Sequence, residues 1–299
     1  MKIIVVMSTY NGAKTIQKQM DSIFNQKGVA LELFVRDDGS TDETLKILHQ
    51  YAESHSNINI VRGDNVGWEK SFMLALESAP EADYYAFSDQ DDIWMENKIE
   101  SGVEALKLHD NNKALLYHCN KISVRENLKP LSHQVRRTPQ PFNHQNAMIQ
   151  EFAQGCSIIM NNKARDLVIS HLPKRKIAHD FWCGLLCYLF GEIIYDDKKH
   201  FYHISYGNNA SGEGHMLKSW IGRLKRMLRG DEIYYSPYQD LFDGFSDKLS
   251  DDDKEFCKRV INYKSNVSDK LYLLLSPKFI RDSLLGTLSL KTAILFNKL

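Results

Sequence analysis

Residues 3–12, Ile3-Ile4-Val5-Val6-Met7-Ser8-Thr9-Tyr10-Asn11-Gly12, decide the fold. Five consecutive apolar residues that turn abruptly polar read as a strand buried on both faces, which is the habit of a parallel sheet. The same grammar recurs downstream. Ile16, Met20, Ile23 and Phe24 fall on one helical face. Leu31 to Val35 reads as a second strand, ending in the turn Asp37-Asp38-Gly39-Ser40. Thr41 then supplies a helix cap, with Asp42 and Glu43 in the first turn. Ile58 to Val61, Trp68 to Ala79 and Tyr84 to Phe87 continue the alternation as strand, helix and strand. Four β/α alternations predict a mostly parallel sheet with helices on both faces.

After about residue 112 the regularity weakens. Ala114 to Cys119 and Ser157 to Met160 read as strands, and Lys121 to Asn146 as a long hairpin or loop over a functional face. Asp180 to Phe190 is a very apolar helix. From Tyr206 onward only helical patterns are found, the last opening at Pro277 and running nearly to Leu299. A boundary near residue 205 therefore divides the chain into an N-terminal α/β unit, 1–205, and a helical region, 206–299.

Among the 299 residues, 38 Lys and Arg balance 38 Asp and Glu. This neutrality excludes a broad nucleic-acid-binding surface. No run approaches the ~18 apolar residues of a membrane span, and the N-terminal apolar run is too short for a secretion signal. Five cysteines without paired spacing fit buried thiols in a reducing cytoplasm. The sequons at Asn209 and Asn266 carry little weight without such a signal.

In an open α/β sheet ligands bind beyond the C-terminal strand ends. Three polar clusters stand there: Ser8 to Gly12, Asp37 to Ser40, and Ser88-Asp89-Gln90-Asp91-Asp92. Three carboxylates within four residues repel one another unless a cation or solvent offsets them. Hard oxygens of this kind suit Mg²⁺ or Mn²⁺ shared with substrate phosphates; the alternative is a solvated acidic turn. An EF-hand is excluded because Ile93 occupies a ligand position. The first strand is followed by neither a G-x-G-x-x-G turn nor a P-loop.

Four motifs in order, Val6 to Gly12, Arg36 to Asp42, Asn65-Val66-Gly67 and Phe87 to Trp94, resemble the family 2 glycosyltransferases of the GT-A fold, over residues 1 to about 212. Gly155-Cys156-Ser157, His179-Asp180-Phe181-Trp182 and the run 207–212 resemble its bacterial rhamnosyltransferase-like branch. The resemblance implies a GT-A catalytic domain that moves a sugar from a nucleotide-diphosphate donor to a saccharide acceptor on a lipid-linked glycan. The implied donor is dTDP-rhamnose, with UDP-hexoses as the alternative. A catalytically inactive nucleotide-binding scaffold is the rival from another class. Ser8, Thr9, Tyr10, Asn11, Asp38, Gly67, Asp89, Gln90 and Gly155 are implied for nucleotide and donor binding, with Asp38 accepting from a pyrimidine N–H. Asp37 is either a base contact or a turn anchor. Asp89 and Asp91 match the metal-binding D-x-D, for Mn²⁺ or Mg²⁺, with Asp91 the direct ligand. Asp180 matches the catalytic base, at a helix N-terminus that favours its ionised form. His179 and Trp182 are implied for the acceptor, the alternative for each being packing. One departure stands out: His203-Ile204-Ser205-Tyr206 precedes residue 207 where the branch shows Arg-Gln-His, and His203 is the candidate substitute.

In the helical region, Leu217, Trp220, Ile221, Leu224 and Leu228 form a stripe ringed by Lys218, Arg223, Lys225, Arg226 and Arg229. It reads either as a helix lying on an anionic membrane, peripheral on the cytosolic face, or as a docked helix with a solvated basic face. A contact between two copies in a homodimer is a further use of this region.

Overall fold

The computed structural model describes residues 1–132, 134, 138–206, 222, 225, 226, 229 and 234–299. The 207–212 motif lies outside them, as does most of the basic segment 217–229. The elements in chain order are β1 (Ile3–Thr9), α1 (Ile16–Phe24), β2 (Leu31–Asp37), α2 (Thr44–Ser54), β3 (Ile58–Arg62), α3 (Trp68–Ser78), β4 (Tyr84–Ser88), β5 (Ile93–Trp94) and α4 (Lys98–Lys107). There follow β6 (Leu115–Arg125), α5 (His144–Ala147), a 3-10 turn at Gly155–Ser157, β7 (Ile159–Asn161), α6 (Asn162–Ile169), α7 (His179–Phe190) and β8 (Glu192–Ser205). The described C-terminal helices are α8 (Tyr238–Phe245), α9 (Asp251–Asn262), α10 (Val267–Leu275) and α11 (Leu284–Leu295).

One sheet runs in the order β3-β2-β1-β4-β7-β6-β8-β5. Strands β1 to β4 pair in parallel, and so do β6 and β8, while β7 and the short β5 run against their neighbours. All of β1 is buried, as the apolar run requires, because helices cover both faces. Chain order reverses at β1, which lies between β2 and β4, so the ends of these three strands open a crevice at the switch point.

Several features depart from the sequence expectation: Glu43 and not Thr41 stands at the cap position of α2, and β6 continues as strand to Arg125 into the stretch expected as a hairpin or loop. Glu192–Ser205 forms the 14-residue β8, where no strand was read. Its centre, Asp196-Asp197-Lys198-Lys199, is polar, and its pairing with β6 is interrupted by register shifts at Cys119/Asn120 and Asn120/Ile122. The last helix begins at Leu284 and not at Pro277: Ser283 caps it by accepting from Gly286 N, while Phe279 is buried between the two helices' ends.

Residues on both sides of 205 share one apolar core. Ile4, Val6 and Phe87 of the sheet belong to the same cluster as Trp182, Leu241, Phe256, Leu273 and Ile294. All five cysteines are buried free thiols. Docking of the C-terminal helices also uses a titrating pair, His144 Nδ1 and Asp253 Oδ2, 2.8 Å apart. The hydrogen bond to Asp253 raises the His144 pKa from 6.5 against its partial burial. Burial works against the Asp253 carboxylate, yet hydrogen bonds from His144 and Ser250 hold it below 3.8. The raised group stabilises fully below about pH 6.5 and loses that contribution as pH rises through its folded value; the depressed group loses its own only in acid. His144→Gln should therefore lower Tm more at pH 6 than at pH 8 (~6 and ~8 bracket an ordinary histidine). Equal losses in calorimetry at the two pH values would contradict this coupling.

Candidate active site

Beyond the ends of β1, β2 and β4 lies a cleft of about 830 Å³. Ser8, Tyr10, Asp38, Gly67, Asp89, Gln90, Asp91, Gly155, His179 and Asp180 all line it. Ten expected site residues, drawn from segments up to 172 positions apart, thus meet on one surface.

The loops are tied to one another before any ligand arrives. Asp37 is fully buried and accepts from Thr9 Oγ1 (2.9 Å), Ser40 N (2.9 Å) and Ser40 Oγ (2.6 Å), which makes it the anchor of the turn. Thr9, expected at the nucleotide, is spent on this anchor and does not line the cleft. Asn11 likewise accepts from Thr41 N through its side chain (2.9 Å) and takes a left-handed backbone, φ 48°, outside the cleft lining. Gln90 grips the backbone of Tyr10 at both ends, accepting from its N–H (2.9 Å) and donating to its C=O (3.0 Å). A Cβ at Gly12 would fall on that Gln90 amide, so the close approach requires glycine there. Asp38 accepts from Arg36 and from the amides of Val66 (3.1 Å) and Gly67 (3.0 Å), and its carboxylate faces the cleft.

The opposite wall is built on the start of α7. Asp180 Oδ2 accepts from Gly155 N (3.0 Å) and Oδ1 from Phe181 N (2.8 Å), and the side chain lines the cleft. His179 stacks on Phe72 (centroids 4.0 Å apart) with its edge to Phe87 and Trp68. Burial pushes its pKa down to about 3, so the ring is neutral. Neither ring nitrogen has a hydrogen-bond partner among the described residues. A Cβ at Gly155 would fall on His179 Nε2, so this glycine makes room for the ring. Trp182, expected at the acceptor, is not in the cleft. Its indole is fully buried, donates to His171 O (3.3 Å) and packs near Phe245. One turn of helix carries Asp180 to the cleft and Trp182 to the core.

Carboxylates dominate the electrostatics. Burial pushes Asp89 well above the usual carboxylate range, and the charges of Asp92, Asp91 and Asp180 add to the effect. Burial and Asp92 likewise raise Asp91, to about 6, against the lowering influence of His203. Asp92 Oδ1 lies 2.9 Å from His203 Nδ1, while its Oδ2 is buried with no nitrogen or oxygen donor among the described residues. Ligand atoms of Asp89, Asp92 and Cys156 all lie within 4.8 Å of one another. Asp91, the expected second ligand, is outside that triple but lines the same cleft. Burial, with Asp92 and Asp89, holds the Cys156 thiol well above its ordinary value, so it stays protonated and contributes no thiolate. Crowded hard oxygens and an orphaned carboxylate oxygen fit a divalent cation such as Mg²⁺ or Mn²⁺.

Several contributors carry no sequence signal for the role they play, among them the contact of His203 with Asp92 and the cleft-lining Tyr235 and Glu151. His203 was noted only as a substitute, and its approach to Asp92 spans 111 positions through an unread strand. Tyr235 and Glu151 line the cleft from irregular segments that carried no motif.

A parallel sheet with acids at its switch point, a carboxylate at a facing helix start and a cleft between them defines the GT-A class of nucleotide-sugar-binding folds. The chain belongs to glycosyl transferase family 2: the family model "Glycosyl transferase family 2" matches residues 4–166. It is similar to dTDP-rhamnosyl transferase RfbG of Shigella flexneri, 40% identical over 111 residues that make up 36% of this chain and 38% of that relative. It is also similar to putative glycosyltransferase EpsE of Bacillus subtilis, 34% identical over 110 residues, 36% and 39% of the two chains. These matches therefore span about two fifths of either relative. The fold resembles that of S. aureus TarS 1-349 in complex with UDP-GlcNAc, with TM-score 0.57 and 17% identity, covering 93% of this chain and 78% of that one. It also resembles mannosyltransferase PcManGT from Pyrobaculum calidifontis in complex with GDP-Man and Mn2+, with TM-score 0.55 and 16% identity, covering 97% and 74%.

Proposed function

We propose that this protein is a metal-dependent inverting glycosyltransferase that moves a sugar, rhamnose from dTDP-rhamnose by preference, onto a saccharide of a bacterial surface glycan. The observation that carries the reading is Asp180 facing the Asp89 and Asp91 pair across one cleft. The RfbG match, over a third of the chain, supports the choice of rhamnose. UDP-hexoses are the second donor class. The acceptor is a lipid-linked glycan met at the cytosolic face of the membrane, with 1–205 as the catalytic unit and 206–299 as its contact region.

Chemically, Ser8, Tyr10 and Asp38 receive the nucleotide, and Asp38 accepts from the base N–H on the carboxylate capacity left by its three protein donors. Asp89, Asp91 and Asp92 would hold a divalent cation, which when bound offsets diphosphate charge as a Lewis acid. Asp180 takes the proton of the acceptor hydroxyl while that oxygen bonds to the anomeric carbon from the face opposite the diphosphate. The bond from the anomeric carbon to the diphosphate oxygen breaks, its electron pair leaves with the nucleotide diphosphate, and the configuration inverts. Neutral His179, stacked on Phe72 and packed against Gly155, shapes the wall from which Asp180 acts.

The test is a donor screen with dTDP-rhamnose, UDP-glucose, UDP-GlcNAc and GDP-mannose, reading nucleotide diphosphate release with Mn²⁺ and after EDTA. Release from dTDP-rhamnose is expected to exceed the others and to disappear with chelation. Turnover that survives chelation would overturn the metal dependence, and a preference for another donor would overturn rhamnose.

A further inference from the structure

The last two helices carry an outward apolar face that nothing among the described residues covers. Helix α10 exposes Val267, Leu271 and Leu275, each one turn from the next. Helix α11 exposes Leu284, Leu288 and Leu295, followed by Phe296. Leu275 and Leu284 are 79% and 85% exposed, rare values for leucine. Lys270 Nζ reaches Asn297 Oδ1 (3.0 Å), and Lys291 Nζ reaches the carbonyls of Leu273 (2.6 Å) and Ser276 (3.0 Å). These ties fix the helices antiparallel, with Leu273, Leu290 and Ile294 in the core. With both inner faces on the same core, the two outer stripes lie side by side.

We propose that this face seats the protein on an anionic lipid surface. Charge favours that occupant: residues 261–299 carry six cations against two acids in a chain whose total is zero. A second copy docked on the same face would set this excess of cations against itself. An apolar helical stripe flanked by lysines is what inserts at a headgroup boundary. The position suits the reading of a lipid-linked acceptor, on which this part of the inference rests. Arg281, in the loop between Leu275 and Leu284, lines a cavity of about 200 Å³ with Arg226 and Tyr234, and that cavity shares Glu151 and Tyr235 with the cleft. The seated end of the hairpin is thus the end beside the reaction site.

Co-sedimentation of the full chain with phosphatidylcholine vesicles, with and without phosphatidylglycerol, tests the proposal. Wild type should bind the anionic vesicles. The triple variant Leu275→Ser, Leu284→Ser, Leu288→Ser should lose roughly tenfold or more of that binding. Its donor turnover should stay unchanged, which also reports that it has folded. Single Leu284→Ser should lose less, in the same direction, and Lys225→Gln with Arg229→Gln should bind as wild type. Absence of wild-type binding, equal binding by the triple variant, or a wild-type dimer that the triple variant dissolves would each overturn it. Vesicle binding without turnover of any donor would leave the surface standing and remove the glycosyl-transfer reading.

Discussion

Asp180→Asn should lower kcat by about 10² to 10⁴-fold, the usual contribution of a positioned general base. Asparagine has the same shape and its one amide oxygen can keep the bond from Gly155 N, the bond from Phe181 N being given up, so the wall of the cleft is largely kept. What it cannot do is take the acceptor proton. Donor KM should change less than kcat, since the nucleotide is assigned to Ser8, Tyr10 and Asp38, none of which bonds Asp180, although loss of its charge also relieves Asp89. Such a split, with kcat affected more than donor KM, distinguishes a base from a group that merely shapes the pocket. Undiminished nucleotide diphosphate release by the variant, with acceptor present, would remove Asp180 from the chemistry.

Trp182→Ala should destabilise the fold by about 3–5 kcal/mol, the range for deleting a large buried aromatic. The indole is fully enclosed and joins the sheet-covering helix α7 to Phe245 of α8, so its loss opens a cavity where the C-terminal helices meet the rest. Thermal unfolding gives the measurement. Trp182→Phe, which keeps most of the packing and loses the 3.3 Å bond to His171 O, should cost less and leave the kinetics near wild type. A rise in acceptor KM without a fall in Tm would instead place the ring under the acceptor sugar.

The contrast between Asp180 and Trp182 shows where sequence legibility ended. Strand ends were readable because β1, β4 and the second half of β2 are buried on both faces and leave apolar runs, each closed by its polar loop. That marked Ser8, Asp38 and Asp89 without any contact information. Within α7 the pattern fails: nine of its twelve residues are buried, so no polar face tells which side chains look inward and which meet the cleft. Strand β8 was missed for the opposite reason. Its polar centre carries no alternation, and its place is set by pairing with β6, a long-range fact. The contact of His203 with Asp92 went with it, since a partner 111 positions away is invisible to local reading. Thr9 and Asn11 sat in the right motif but spend their side chains holding neighbouring turns, a division of labour that residue type cannot reveal.

The two hydrogen bonds between Gln90 and the Tyr10 backbone have a consequence for how such a site can be redesigned. They staple the segment that would read the base to the segment that carries the acids, much as a rung joins adjacent strands. Neither segment can shift to admit a bulkier donor without carrying the other along. New donor preferences are therefore reached by exchanging the side chains that project from this plate, whereas transplanting either loop alone would break the staple.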